Sequence, residues 1–223
     1  MSELPVTLLV VAKAPVPGLA KTRLAATVGN QAAAAIAAAA LLDTLDAVAA
    51  TPVATRVVAL TGDLDLAANG AELRRRLDAF TVVDQRGDGF AERLVCAHAD
   101  ASAAGDGRPV LQIGMDTPQV TAELLTSCAQ TLLDGSAVLG MARDGGWWVL
   151  GLHSAAQAEC LREVPMSTSE TGAETLAALR HSGVGAVLLP ELHDVDTIDD
   201  VDPVRAVCAP GSRFVNITRM AGV

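Results

Sequence analysis

Seven short apolar runs punctuate the chain, and longer segments with helical spacing lie between them. Residues 6–12 are apolar and rich in β-branched side chains, which predicts a strand buried on both faces, as in a parallel sheet. Further strands are predicted at residues 55–61, 80–84, 109–113, 137–141, 147–152 and 186–189. Helices are predicted at residues 31–49, 64–77, 90–104, 121–133 and 198–207, and residues 167–180 read as a loop leading into another. Thr22 is placed to cap a short helix after the first loop. This alternation implies an α/β fold: a mostly parallel central sheet flanked by helices. Residues 137–141 and 147–152 are joined by Arg143-Asp144-Gly145-Gly146, so one antiparallel hairpin is expected. No repeat or linker divides the chain. Residues 1–211 read as a single domain, and residues 212–223 as a C-terminal tail, either loose or packed as an arm.

Composition narrows the function classes. The chain has 223 residues, 51% of them hydrophobic, which allows a sizeable core and argues against disorder. Lys and Arg number 16 against 26 Asp and Glu, a net charge of −10. Nucleic-acid binding needs a basic face, so no nucleic-acid partner is expected. The Ala-rich residues 32–50 include Asp43 and Asp46 and read as a soluble helix, so no membrane span is expected. Residues 1–7 lack the pattern of a secretion leader, which places the protein in the cytoplasm. Cys96, Cys128, Cys160 and Cys208 lie far apart without zinc spacing and read as buried thiols. The oligomeric state stays open, a homodimer among the arrangements allowed.

Three stretches carry candidate chemistry. After the first strand, a loop stiffened by Pro15 and Pro17 holds three cations, Lys13, Lys21 and Arg23, in an otherwise acidic protein. It is neither a Walker A loop nor a dinucleotide loop, but it shares their place between a strand and a helix, where anions are favoured. The alternative is a set of solvated surface charges. Residues 110–113 form a short strand, followed by Gly114, Asp116 and Pro118. A carboxylate just past a mid-sheet strand sits where open α/β sheets bind ligands, and a hard divalent cation takes such an oxygen. Asp194 and Asp196 follow the last strand and would join Asp116 if both loops open on one rim. The alternative for Asp116 is capping of the helix near Thr121 or a local turn, and for Asp194 and Asp196 capping of the helix before Ile198. The third stretch is Asp144-Gly145-Gly146-Trp147-Trp148, in which the two indoles point to opposite faces, one toward the core and the other toward a pocket; the alternative is core packing alone.

Taken together, Val11-Ala12-Lys13-Ala14-Pro15, Pro17-Gly18, Lys21-Thr22-Arg23-Leu24, Gly114-Met115-Asp116-Thr117-Pro118, Asp144-Gly145-Gly146, Leu150-Gly151-Leu152, Ser167-Thr168 and Asp194-Val195-Asp196-Thr197 carry a resemblance. They stand in the same order as in a bacterial family of glycosyltransferase-A-like proteins of undefined activity. More distantly, the chain is similar to phospholactate guanylyltransferase and to the molybdenum-cofactor and sugar-phosphate nucleotidyltransferases. The resemblance implies a nucleotide-diphospho-sugar transferase (GT-A-like) fold, Mg2+ or Mn2+, and a nucleoside triphosphate or nucleotide-sugar as ligand with a small-molecule acceptor. By position, Ala12, Lys13, Lys21, Arg23 and Gly114 would hold the nucleotide, with Gly87 and Asp88 near its base or ribose. Asp116 would bind the metal, with Asp194 or Asp196 as second ligand. Lys21, Arg23, Asp116 and Asp144 would form the catalytic set. Met115, Trp147-Trp148 and Met166 depart from the family pattern and alter the pocket beyond Asp144.

The expected activity is nucleotidyl transfer from a triphosphate to a small phosphorylated acceptor, with pyrophosphate released. Three cations on one loop suit a triphosphate, and an anionic acceptor needs no strong base. The alternatives are glycosyl transfer, for which Asp144 would serve as base, and nucleotide binding without catalysis.

Overall fold

The computed structural model describes residues 3–223; the first two residues, part of the stretch read for a leader, lie outside them. β1 (Leu4–Lys13) pairs in parallel with β2 (Val53–Thr61), and β2 with β3 (Thr81–Asp84). The chain then crosses back, so that β4 (Val110–Ile113) pairs with the other side of β1. Beyond β4 lie β6 (Trp147–Leu152), β5 (Ala137–Ala142) and β7 (Val187–Leu192), giving the order β3-β2-β1-β4-β6-β5-β7. The direction of winding reverses between β1 and β4, and such a switch point opens a crevice at the strands' carboxyl ends. β6 runs antiparallel to both of its neighbours, so the predicted hairpin is built into the middle of the sheet.

The sheet is covered on both faces. One core packs α2 (Asn30–Ala50) and α5 (Ala122–Asp134) against it through Leu8, Val10, Leu111 and Ile113. The opposite face carries α4 (Phe90–Ala104), a 3-10 helix (Ala155–Glu163) and α6 (Thr171–His181) over Leu9, Val57 and Leu150. The 3-10 helix was not foreseen. Residues 64–77 are helical only in their second half, as α3 (Gly70–Leu77). Before it, Asp63 accepts the N–H of Asp65 and Asn69 takes a left-handed φ of 55°, which holds the chain in turns.

A third apolar cluster joins α1 (Thr22–Val28), α2, α7 (Ile198–Val207) and α8 (Arg213–Met220). By length and composition α2 could cross a membrane, but most of it is spent on core packing. Its two acids are also committed. Asp43 accepts the N–H of Phe214 at 2.8 Å, and Asp46 pairs with Arg213 at 2.5 Å and with Arg76. These contacts seat α8, whose Phe214 is fully buried.

Candidate active site

Helix capping accounts for none of the candidate aspartates. The cap of α5 is Thr121, whose hydroxyl accepts the N–H of Leu124 at 3.2 Å. The cap of α7 is Thr197, which forms a reciprocal box with Asp200. Asp116, Asp194 and Asp196 are left pointing elsewhere. Nor does Thr22 cap α1: it is the first helical residue, and Lys21 holds the cap position without a side-chain bond.

Lys21 sits at φ 48°, ψ 50°, a left-handed conformation that costs a non-glycine residue about 1–3 kcal/mol. Its side chain is engaged by charge. Its ammonium lies 2.8 Å from Asp116 and 3.7 Å from Asp196, and Arg23 reaches Asp196 at 2.8 Å. Burial alone would lower the Lys21 pKa; the charge and hydrogen bond of Asp116, with the charges of Asp196 and Asp194, outweigh burial and raise it. Gly114 makes room for the carboxylate, since a Cβ there would stand 2.9 Å from Asp116 Oδ1.

Asp200 organises the loop between β7 and α7. One of its oxygens accepts the N–H groups of Asp196 (3.0 Å) and Thr197 (2.6 Å) and the Thr197 hydroxyl (2.9 Å); the other meets His193 Nε2 at 2.8 Å. Two further bonds clamp this loop to the Asp116 loop: Val195 N–H to the Asp116 carbonyl at 3.0 Å, and Gln119 Nε2 to the His193 carbonyl at 2.6 Å. The two loops that carry the carboxylates are therefore fixed relative to each other by these bonds as well as by the Lys21 ammonium that Asp116 and Asp196 share.

These loops border a cleft of about 670 Å³ over the switch point. On the β1 side it is lined by Ala12, Lys13, Lys21, Arg23, Gln85, Phe90, Arg93 and Gln112. On the β5–β7 side stand Asp144, Trp147, Met166, Ser167, Ser169, Asp194 and Asp196, with Gly114 and Asp116 between the two. Trp148 is buried and donates to the Pro190 carbonyl, while the half-buried Trp147 donates to the Thr175 hydroxyl. Gly145, at φ 91°, allows the Ser169 backbone to lie against the hairpin turn; a Cβ there would be 2.0 Å from the Ser169 carbonyl oxygen.

Of the residues singled out from the sequence, Ala12, Lys13, Lys21, Arg23, Gly114, Asp116, Asp144, Asp194 and Asp196 line the cleft. Gly87 and Asp88 do not. Their loop is folded against α4, where the Asp88 N–H donates to Glu92 at 2.9 Å, and Gln85, Phe90 and Arg93 take the places on the wall. Sequence reasoning also missed Asp200, although Thr197-x-x-Asp200 has capping-box spacing. It missed Gln112, a fully enclosed amide on the cleft floor backed by the buried His98 ring of α4. Gln112 Oε1 and both His98 ring nitrogens lack partners in hydrogen-bonding geometry. Burial lowers the His98 pKa to about 4, although the neighbouring Gln112 raises it, so the ring is neutral.

Whether the carboxylates suit a hard cation can be judged from their charge. Burial, then the charges of Asp116 and Asp144, push the Asp194 carboxyl up to about 6. The cluster is short of positive charge even with Lys21 beside it. Among the described residues no three Asp, Glu, His or Cys side chains converge closely enough to enclose an ion by themselves. The arrangement fits an ion that takes one or two carboxylates and completes its shell from ligand oxygens and water, as Mg2+ does.

Comparison with known proteins places the fold. A protein of Desulfovibrio desulfuricans G20, provisionally named a nucleotide-diphospho-sugar transferase, aligns over 100% of this chain and 96% of its own, with 25% identity and a TM-score of 0.84. A cytidylyltransferase of Leptospira borgpetersenii aligns over 99% of this chain and 94% of its own, at 14% identity and a TM-score of 0.59. CMP:2-keto-3-deoxy-manno-octonic acid synthetase complexed with CTP aligns over 91% and 97%, at 14% identity and a TM-score of 0.55. No curated protein matches the sequence. The fold is thus that of the nucleotide-diphospho-sugar transferases, and such neighbours support a transferase. Residues 44–168, more than half of the chain, match the family described as "Uncharacterized protein conserved in bacteria (DUF2064)", and the chain belongs to that family.

Proposed function

We propose that the protein is a metal-dependent nucleotidyltransferase, which binds a nucleoside triphosphate on the β1 side of the cleft and moves its nucleotidyl group to a small acceptor on the β5–β7 side. The observation that carries this reading is the pairing of Lys21 and Arg23 with Asp116 and Asp196 across the switch point. Each ion pair joins a group suited to phosphate with a group suited to a divalent cation. A metal–triphosphate complex offers both charges at once, so the pairs can exchange partners without leaving a charge uncompensated.

In this mechanism Lys13, Lys21 and Arg23 neutralise the phosphate oxygens, and Arg93 closes the same side. Asp116, with Asp196 or Asp194, would hold Mg2+ or Mn2+, which when bound polarises phosphoryl oxygens and balances the charge that grows on the leaving pyrophosphate. The rigid coupling of the two carboxylate loops supplies positioning, the main protein contribution to phosphoryl chemistry. Gly114 and Ala12 let the ligand approach the backbone.

The test is to incubate the protein with each of the four nucleoside triphosphates, Mg2+ and a panel of acceptors, and to measure pyrophosphate. Release that depends on an acceptor and is lost in Asp116→Asn supports the reading. Release of nucleoside diphosphate from a nucleotide-sugar instead would replace it with glycosyl transfer.

A further inference from the structure

The two sides of the cleft differ in charge, and the difference bears on the acceptor. All four Lys and Arg residues in the wall, Lys13, Lys21, Arg23 and Arg93, come from segments on the β1 side. Among the described residues that line the β5–β7 side there is none; that wall carries Asp144, Asp194 and Asp196. Two basic side chains lie close by and are engaged. The Arg143 guanidinium is turned to Glu191 at 3.4 Å, and the His193 ring is tied to Asp200 at 2.8 Å. Lys21 and Arg23 reach Asp196 from the nucleotide side, so a phosphorylated acceptor seated beside Asp144 would find no Lys or Arg on its own side of the cleft, and like charges in a partly desolvated cleft repel strongly.

What this side does offer suits a different ligand. Trp147 presents a half-buried indole whose N–H is already bound to Thr175, leaving its apolar ring surface. Ser167 and Ser169 are exposed hydroxyls on the adjoining loop. Asp144 spends Oδ1 on the Gly146 N–H at 2.7 Å and keeps its other oxygen for a ligand. An aromatic surface beside hydroxyl and carboxylate acceptors matches a molecule with apolar C–H faces and several O–H donors.

We infer, on the footing of the nucleotidyl-transfer reading, that the acceptor is an uncharged polyol, a sugar or sugar alcohol, and that one of its hydroxyls is the nucleophile. This replaces the phosphorylated acceptor expected from sequence. A neutral hydroxyl needs a base, and Asp144 is placed for it. The acceptor oxygen forms a bond to the α-phosphorus while its proton passes to the Asp144 carboxylate. The bond from that phosphorus to the bridging oxygen breaks, and the electron pair leaves on pyrophosphate.

The experiment uses matched pairs, glucose against glucose 1-phosphate and glycerol against glycerol 3-phosphate, extended to a panel of sugars and alditols and their phosphates. Binding is measured calorimetrically with and without a non-hydrolysable triphosphate analogue, and turnover with the four triphosphates. At least one neutral compound should bind about tenfold or more tighter than its phosphate, and be the partner in turnover. Asp144→Asn should lower turnover about a hundredfold or more, the usual worth of a general base, while analogue affinity changes less than twofold. Tighter binding or faster turnover of the phosphates would overturn the inference and leave nucleotidyl transfer standing. Absence of binding by every neutral compound would overturn it as well. If no triphosphate binds, nucleotidyl transfer itself fails, and the neutral-versus-phosphate preference measured without nucleotide still decides the acceptor class.

Discussion

The two walls of the cleft are built from the same sheet rim yet obey opposite electrostatics. The β1 wall is cationic and rests on a strained loop, in which Lys21 combines a left-handed backbone with ion pairs to Asp116 and Asp196. The β5–β7 wall is acidic and rests on a rigid one, with Asp200 binding Asp196, Thr197 and His193 at once. One wall is therefore fixed by interactions that a ligand can replace, and the other by interactions that a ligand leaves alone. Such a cleft can trade its internal ion pairs for those of a charged ligand without rebuilding the acidic wall.

The sharpest way to break this contrast is at the point where the walls meet. Asp116→Asn keeps the side chain's size and removes its charge. Thr121 caps α5, so stability should change by about 0.5 kcal/mol or less apart from the lost Lys21 pair. Metal-dependent turnover should fall about a thousandfold, since a bound metal contributes several kcal/mol and each 1.4 kcal/mol is tenfold. Titration of Mn2+ in the presence of nucleotide reads the effect directly; equal Mn2+ affinity in variant and wild type would remove Asp116 from the metal site.

The walls should also answer acid with opposite signs. His98, under the β1 wall, is held at about 4 against an ordinary value of 6.5. The unfolded chain therefore takes up that proton first, and stability is lost as pH falls from about 6.5 to about 4, by an amount on the order of 3 kcal/mol. Asp194, in the acidic wall, is held at about 6 against 3.8. There the folded state takes up the proton first, so its contribution is gained as pH falls from about 6 to 3.8. In chelator-treated protein, denaturation at pH 7 and pH 4.5 should show a flatter loss for His98→Leu and a steeper one for Asp194→Asn. Indistinguishable slopes in the three proteins would contradict the assignment of the two groups.

The same contrast explains what could be read from sequence. The strands, their alternation with helices, and α4 and α7 to the residue followed from apolar spacing. The cations and aspartates were legible because they stand at or between the carboxyl end of a strand and the start of the next helix, as Lys13 at the end of β1, Lys21 and Arg23 at the start of α1, and Asp116 and Asp194 after β4 and β7 do. What could not be read depends on side chains meeting across the fold. Gln112 and His98 lie 14 residues apart in the numbering, on β4 and α4, and neither has a local pattern. The resemblance put Gly87 and Asp88 beside the ligand, but the Asp88 N–H donates to Glu92 and the loop lies against its own helix.

Lys21→Ala probes the strained wall. Its side chain is only 14% exposed, so it is no solvated surface charge. Removing it leaves Asp116 and Asp196 facing each other without their shared cation, and alanine tolerates φ 48° no better than lysine does. The protein should lose about 1–3 kcal/mol, and triphosphate affinity should drop about tenfold. Added Mg2+ should raise the melting temperature of the variant more than that of wild type, because the ion can stand in for the missing ammonium. Equal Mg2+ shifts in the two proteins would mean that the carboxylates do not share a cation site.

The smallest effect sharpens the boundary of the β1 wall. The resemblance to known families put Gly87 and Asp88 beside the base or ribose, whereas the cleft takes Gln85, Phe90 and Arg93 from the same segment. Asp88→Ala keeps the backbone N–H that donates to Glu92, so the loop should hold its shape. Its side chain is exposed and outside the wall, and triphosphate affinity should change less than twofold. Arg93→Ala, one turn along α4, removes a cation from the wall itself, and its affinity loss should be severalfold and diminish with added salt, as expected for a charge partly open to solvent. The two variants should therefore separate in an equilibrium binding assay at low and high salt. A larger loss in Asp88→Ala than in Arg93→Ala would mean that the loop swings over the ligand when it binds, and that the β1 wall extends beyond the residues that line it here.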